Sequence, residues 1–312
     1  MRDIFKIAQE IEEVKIKLQK LKDMQVSNDE FYDLLEKEGQ LKIEMAKASR
    51  NKAENNYEVV TLNEAIKQYE SMPKKPKYAT NINAIDNNFD GGLEFAQLIV
   101  VAGEKGAGKT LLTMQILFNV SSAFNAVLFT LEIPTYKIVE RLLRKKDRFN
   151  SNILNNLKIA DKKFTLEQIE TLIRFEVQSN NTKFFVIDSF MKIQTAKTFK
   201  SINEKYSYIS NTLSRLAIEL DVIIFIVAQM SKEDIKRKHL SLKNSGDVEY
   251  DADVIFYLLK NNKNLDERIL VCDKNRQNGN EYKEVIKIDK KSLEFVSSHT
   301  VVDTKTADMP VI

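Results

Sequence analysis

The chain has 312 residues, 43% of them hydrophobic, which is enough for one large domain with an appendage. Its 48 basic and 45 acidic residues leave a net charge of +3, so nucleic-acid binding would have to come from local patches. A single cysteine, Cys272, excludes an internal disulfide and a cysteine-rich metal site, and two histidines, His239 and His299, leave little for a zinc centre.

No apolar run approaches the ~18 residues of a membrane span, and the charged start Met1-Arg2-Asp3 is not that of a signal peptide, so the expectation is a cytoplasmic protein with no membrane contact. Residues 3–24 place Ile4, Ile7, Ile11, Val14, Leu18 and Leu21 at alternating spacings of 3 and 4, a heptad seam on one helix. Ser27 or Asn28 caps a second helix with Phe31, Leu34, Leu41 and Met45 on one face. Residues 1–56 are therefore expected to form a helical hairpin or coiled-coil arm, packed locally or offered to a subunit or partner. Residues 61–72 read as a short, capped amphipathic helix, and Pro73-Lys74-Lys75-Pro76 as an extended linker. The segment 57–79 thus separates the arm from the rest.

From Lys77 onward, apolar runs at 98–102, 126–131, 183–188, 222–228, 253–259, 268–273 and 282–288 read as strands. Stretches at 109–123, 135–149, 165–178 and 203–220 read as helices. Such alternation predicts an α/β domain over 80–296 with a mainly parallel sheet covered on both faces. The last strands have no helices between them and should form an antiparallel hairpin at the sheet edge. Residues 297–312 are polar and aperiodic and are expected to be a flexible tail.

Gly103-Glu104-Lys105-Gly106-Ala107-Gly108-Lys109-Thr110 satisfies G-x-x-x-x-G-K-[ST], between an apolar strand and a helix that opens with Leu111. Five of the eight glycines lie in 91–108, where a turn must bring backbone N–H groups close to phosphates. Gly103 through Leu111 are the candidate nucleotide contacts. Lys109 is expected on the β- and γ-phosphates and the Thr110 hydroxyl on Mg²⁺, with the helix dipole behind them. ATP is the default nucleotide.

Three strand tips offer the remaining chemistry. Asp188 ends the run Lys183–Ile187 and is a second Mg²⁺ anchor. Glu132 ends Val127–Leu131 and is a base for the attacking water, or else an N-terminal charge for the helix after Pro134. Gln229 ends Val222–Ala228 and is a γ-phosphate sensor or a plain polar terminus.

Glu132 within Leu131-Glu132-Ile133-Pro134, Asp188, Gln229 and the run Ser245-Gly246-Asp247-Val248-Glu249-Tyr250-Asp251-Ala252-Asp253-Val254-Ile255 together resemble the RecA-like motor domain of DnaB-type replicative helicases. Lys274-Asn275-Arg276 followed by Asn278-Gly279 resembles the family's Lys-x-Arg and Asn-Gly, with one extra residue between. The likeness covers about residues 61–295.

It implies a RecA-like P-loop NTPase in which Glu132 is the catalytic base, Gln229 the γ-phosphate sensor, and Lys274 and Arg276 act in trans on a neighbour's ATP. It also implies a hexameric ring, closed by helix 61–72 docking on the next subunit. Single-stranded DNA would meet the loops 192–206 (Lys192, Lys197, Lys200, Lys205) and 230–244 (Lys232, Lys236, Arg237, Lys238, His239, Lys243).

DnaB-type helicases carry a larger helical domain before the linker. The short arm here suggests a phage, plasmid or mobile-element version, whose arm meets a replication protein of its own. Two other readings share the P-loop: a RecA-like ATPase that is not a motor, and a recruiting module whose assembly ATP sets.

Overall fold

The structure is a computed structural model that describes residues 4–23, 30, 33–34, 36–41, 44, 60–71, 76–231, 240–242 and 246–301. Contacts divide the chain into two units, Met1–Lys74 and Lys75–Ile312.

In the first unit, α1 spans Ile4–Asp23. Its seam residues Ile7, Ile11, Val14 and Leu18 are buried against Leu41, with Leu34 packed alongside. Residues 36–41 are helical, so the contact joins two helices in the manner of the expected hairpin. Phe31 and Met45 lie outside the described residues. A further helix of this unit, α2 (Leu62–Ser71), starts with a reciprocal cap. The Thr61 N–H and hydroxyl donate to Glu64 at 2.8 and 2.7 Å, and the Glu64 N–H returns to the Thr61 hydroxyl at 3.3 Å.

The second unit is a nine-stranded sheet. In chain order its elements are β1 (Gln97–Gly103), α3 (Lys109–Val120), β2 (Ala126–Thr130), α4 (Thr135–Leu142), α5 (Ser151–Asn156), β3 (Leu157–Ala160), α6 (Leu166–Asn180), β4 (Phe184–Asp188), α7 (Ile202–Leu220), β5 (Ile223–Val227), α8 (Gly246–Asp251), β6 (Val254–Lys260), β7 (Glu267–Asn275), β8 (Tyr282–Asp289) and β9 (Glu294–Val301). Across the sheet the order is β3-β2-β4-β5-β1-β6-β7-β8-β9. Neighbours from β3 to β6 are parallel, and the three pairings from β6 to β9 are antiparallel.

Strands β1, β2, β4 and β5 are buried on both faces, so their sequences run continuously apolar. The period-2 alternation still sorts them. Ile99, Val101, Phe184, Val186 and Phe225 join α3 and α4 in one core, while Leu98, Val100, Phe185, Ile187 and Ile224 join α6 and α7 in the other.

Three expectations need correction. The helix expected over 135–149 stops at Leu142 and continues as a tight 3-10 stretch, Leu143–Arg148, because Lys145 turns inward with non-helical dihedrals (φ −121°, ψ 28°). The buried Lys145 ammonium reaches Glu294 at 3.1 Å and lies 4.4 Å from the Phe118 ring centre. Strand β3 is absent from the expected set, since a half-buried four-residue edge strand leaves little trace in the sequence. The boundary expected at 296 falls inside β9, which crosses it to Val301 and adds a third antiparallel pairing to the expected hairpin. Among the described residues, no helix is long and apolar enough to cross a membrane.

Candidate nucleotide site

The carboxyl ends of the parallel strands open on a cleft of about 860 Å³. Lys105, Gly106, Lys109 and Thr110 line it from the loop after β1. Glu132 lines it after β2, Asp188 at the tip of β4, and Val227, Ala228 and Gln229 at the end of β5. Crevices at this edge of a doubly wound sheet are where such folds bind ligands. The apolar strands and the parallel pairing thus gather four sequence-distant segments at one place.

The loop is built to approach a phosphate closely. Gly103 lies against β6, and a Cβ there would sit 2.3 Å from the Leu258 carbonyl oxygen. Gly108 takes φ +105°, with the Phe295 ring 2.9 Å from where its Cβ would be. α3 begins at the next residue and points its amino end into the cleft. Glu104 and Ala107 close the turn by a hydrogen bond of 3.2 Å, and Leu111 packs against the core below.

Lys109 folds along this loop and donates to the carbonyls of Gly103 (3.0 Å) and Glu104 (2.9 Å). Burial pulls its pKa down, opposed by the acids Asp188, Glu132 and Glu104. The Thr110 hydroxyl donates to Asp188 Oδ2 at 2.5 Å. Burial raises the Asp188 pKa, and the Glu132 charge adds to that rise, while Thr110 and Lys109 oppose it. A hydroxyl and a buried carboxylate converging beside a phosphate loop form a hard oxygen donor set of the kind that holds Mg²⁺. The residues present fit that ion.

Glu132 is held by a residue outside the expected set: the Ser189 hydroxyl donates to Glu132 Oε1 at 2.8 Å. Lys163, Lys192 and Gln194 also line the cleft. This revises the reading of the first basic loop, in which Lys192 is grouped with the DNA-facing lysines. The turn Phe190–Lys192 directly after β4 carries it to the cleft instead. Farther along that loop, Lys197 lies 4.1 Å from the Tyr208 ring centre and Phe199 packs on the same ring. Of the second basic loop, Lys232, Lys236, Arg237, Lys238, His239 and Lys243 lie outside the described residues.

Arg268 is a second addition that no sequence motif marks. It stands on β7 opposite Lys260, and its Nε donates to the Ala107 carbonyl of the phosphate loop at 2.8 Å. Its Nη1 caps the Leu265 and Glu267 carbonyls at 2.8 and 2.6 Å.

Lys274 and Arg276 are elsewhere. Lys274 pairs with Ile255, which pairs with Val100, and the Arg276 N–H bonds Asp253 O at 2.9 Å, level with Leu98. Leu98 is five residues from Gly103 along β1, roughly 16 Å at the strand rise, and β7 lies two strands over. Both cations are therefore at the opposite edge of the sheet from their own phosphate loop. Lys274 Nζ donates to the carbonyls of Glu249 (2.7 Å) and Tyr250 (3.0 Å), and Arg276 Nη2 to that of Tyr250 (3.0 Å).

A P-loop between a central parallel strand and its helix, with acids at the tips of neighbouring strands and antiparallel strands closing one side, defines a RecA-like α/β fold. Residues 78–168 and 155–297 match the DnaB-like helicase C terminal domain, and the chain belongs to that family. The replicative DNA helicase DnaB of Geobacillus stearothermophilus is 25% identical over 223 residues, 59% of this chain and 49% of the relative. A solved phage ATPase domain aligns with a TM-score of 0.66 at 21% identity, covering 77% of this chain and 99% of that one. A solved DnaB-like replicative helicase aligns with a TM-score of 0.65 at 18% identity over 93% and 76%. The chain spans about half the length of the curated relatives it matches first.

Proposed function

We propose that the chain is the motor of a ring-forming helicase of the DnaB type. It hydrolyses ATP at subunit interfaces, moves on single-stranded DNA and unwinds duplex during replication. The observation that carries this reading is the division of the catalytic set. Lys109, Thr110, Glu132, Asp188 and Gln229 share one cleft, while Lys274 and Arg276 stand at the far edge of the same sheet. One copy supplies both halves but not to the same nucleotide, so a complete site needs two copies.

In the proposed reaction the loop 103–111 binds the phosphates, and Lys109 exchanges its two carbonyl partners for phosphate oxygens. Thr110 and Asp188 would hold Mg²⁺, which when bound neutralises charge on those oxygens. Glu132, oriented by Ser189, takes a proton from water as the water oxygen bonds to the γ-phosphorus and the bond to the ADP oxygen breaks. Gln229 hydrogen-bonds the γ-phosphate, and a neighbour's Arg276 and Lys274 stabilise the developing charge. Lys197, Lys200 and Lys205 of the first loop and the basic residues of 230–244 are the proposed contacts to the DNA backbone. The arm 1–56 is the proposed contact for a replication protein, and the assembly is a hexamer.

The test is ATP turnover with and without single-stranded DNA, for the wild type, Glu132→Gln and Arg276→Ala, together with strand displacement on a forked duplex. Glu132→Gln is expected to lose about 10²–10⁴ in turnover while still binding nucleotide. Arg276→Ala mixed into wild type is expected to poison it more than in proportion. Turnover indifferent to DNA, with Arg276→Ala hydrolysing normally, overturns the motor and leaves the non-motor ATPase. In-vivo function that survives Glu132→Gln but not loss of residues 1–56 favours the recruiting module.

A further inference from the structure

The second basic loop leaves and re-enters the fold through a short ladder. Met230 bridges Leu242, and the Ser231 N–H donates to Ser241 O at 3.3 Å. Each strand of this base touches something else. The Met230 N–H donates to the carbonyl of Gly103, the first residue of the phosphate loop, at 3.3 Å. The Leu242 N–H donates to Glu249 Oε1 at 2.7 Å.

Glu249 belongs to α8, the six-residue helix just past the loop. Its carboxylate also accepts from the hydroxyl of the fully buried Tyr257 at 3.2 Å. Its backbone carbonyl is a partner of Lys274, and the next carbonyl holds both Lys274 and Arg276. α8 itself is fixed on α7: Ser207 bonds Asp247, Ser210 bonds the Asp251 carboxylate, and Ser214 donates to Asp251 O at 3.3 Å.

One residue therefore grips the base of the loop with its side chain and the far-edge cations with its main chain. The side chain and the carbonyl belong to the same helical turn, so a shift imposed at Leu242 is passed to the anchor of Lys274 without an intervening soft joint. We infer that Glu249 is a positioning residue that ties the base of loop 230–244 to the Lys274–Arg276 pair, so that the state of the loop sets the placement of those two cations. The inference rests on the proposed trans role of that pair and adds the residue through which the loop would control it.

The experiment uses the full chain as wild type, Glu249→Ala and Glu249→Gln. It measures ATP turnover with and without a poly-dT oligonucleotide, oligonucleotide affinity by fluorescence anisotropy, and the melting temperature. Glu249→Ala is expected to bind the oligonucleotide within about twofold of wild type while the ratio of stimulated to unstimulated turnover falls by about fivefold, inside the range of measured couplings. Glu249→Gln keeps an oxygen that accepts from Leu242 and Tyr257 and is expected to retain the ratio.

A structural role alone would lower both turnovers and the melting temperature together and leave the ratio intact, which overturns the inference. Loss of the ratio in Glu249→Gln as well as Glu249→Ala also overturns it. If Glu249→Ala does not fold, Tyr257→Phe removes one donor to the same oxygen and keeps the ring. Its ratio is expected to fall about twofold, and an unchanged ratio counts against the inference. A wild type that DNA does not stimulate removes the motor reading and this inference with it. Arg276→Ala that poisons mixtures, beside a fully stimulated Glu249→Ala, removes the inference alone.

Discussion

Arg268 shows how a single side chain outside the motif shapes the phosphate loop. Turning the loop's N–H groups inward leaves its carbonyls facing outward, and the Ala107 carbonyl is met by Arg268 Nε at 2.8 Å. A hydrogen bond to a charged group contributes about 1.5–3 kcal/mol, so Arg268→Ala is expected to weaken ADP binding about tenfold. Arg268→Lys, which keeps a charge but not the fork that spans three carbonyls, should recover part of the loss. A titration with a fluorescent ADP decides it, and unchanged affinity in Arg268→Ala would refute the role. Ser189 makes the same point for Glu132, because the orienting hydroxyl adjoins Asp188 in sequence but is recognisable only once β2 and β4 lie side by side.

At the scale of elements, β9 is the back wall of the phosphate site. Its Phe295 ring fills the space beside Gly108, and Gln115 of α3 holds the Phe295 backbone by both its N–H and its carbonyl, at 2.7 and 2.9 Å. The neighbouring Glu294 accepts from Lys145 at 3.1 Å and from Arg148 at 2.5 Å. The Lys145 ammonium is only 5% exposed, so Glu294→Ala strands a buried charge and is expected to cost about 3–5 kcal/mol in urea unfolding.

Burial also depresses the Lys145 pKa below its usual 10.5, more than Glu294 raises it. Between the folded value and 10.5 the unfolded chain binds more protons, so this contribution to stability is complete above 10.5 and is lost as pH falls through the folded value. The melting temperature of Lys145→Met is expected to lack that alkaline gain when followed over the same range. Equal slopes for the two proteins would show that Lys145 is not the source.

For the molecule as a whole, function is proposed to depend on assembly, and α2 carries a surface suited to it. Leu62, Ile66 and Tyr69 repeat on one face of the helix and are 77, 46 and 80% exposed. If this face docks on a second copy, Leu62→Ser with Tyr69→Ser should raise the concentration needed for assembly by at least tenfold, since each large side chain contributes about 1.5–3 kcal/mol on burial. Sedimentation velocity with ATP analogue present measures this, and an unaltered assembly curve rejects the face as a subunit contact.

The phosphate loop, the acidic and amide strand tips and the α/β class were legible in the chain before any folding, because each is written in contiguous residues. Glycine spacing fixes the turn, and an apolar run ending in a polar residue fixes a buried strand and its tip. The seam of α1 was legible for the same reason. Other relations emerged only with the folded molecule: Lys192 lines the nucleotide cleft, Arg268 and Phe295 brace the phosphate loop, and Lys274 and Arg276 stand at the far edge from it. Those relations follow from strand order and register. In the order β3-β2-β4-β5-β1-β6-β7-β8-β9 most neighbours of the site are far apart in the chain, and hydrogen-bonded pairing between strands, not local pattern, sets which side chains meet.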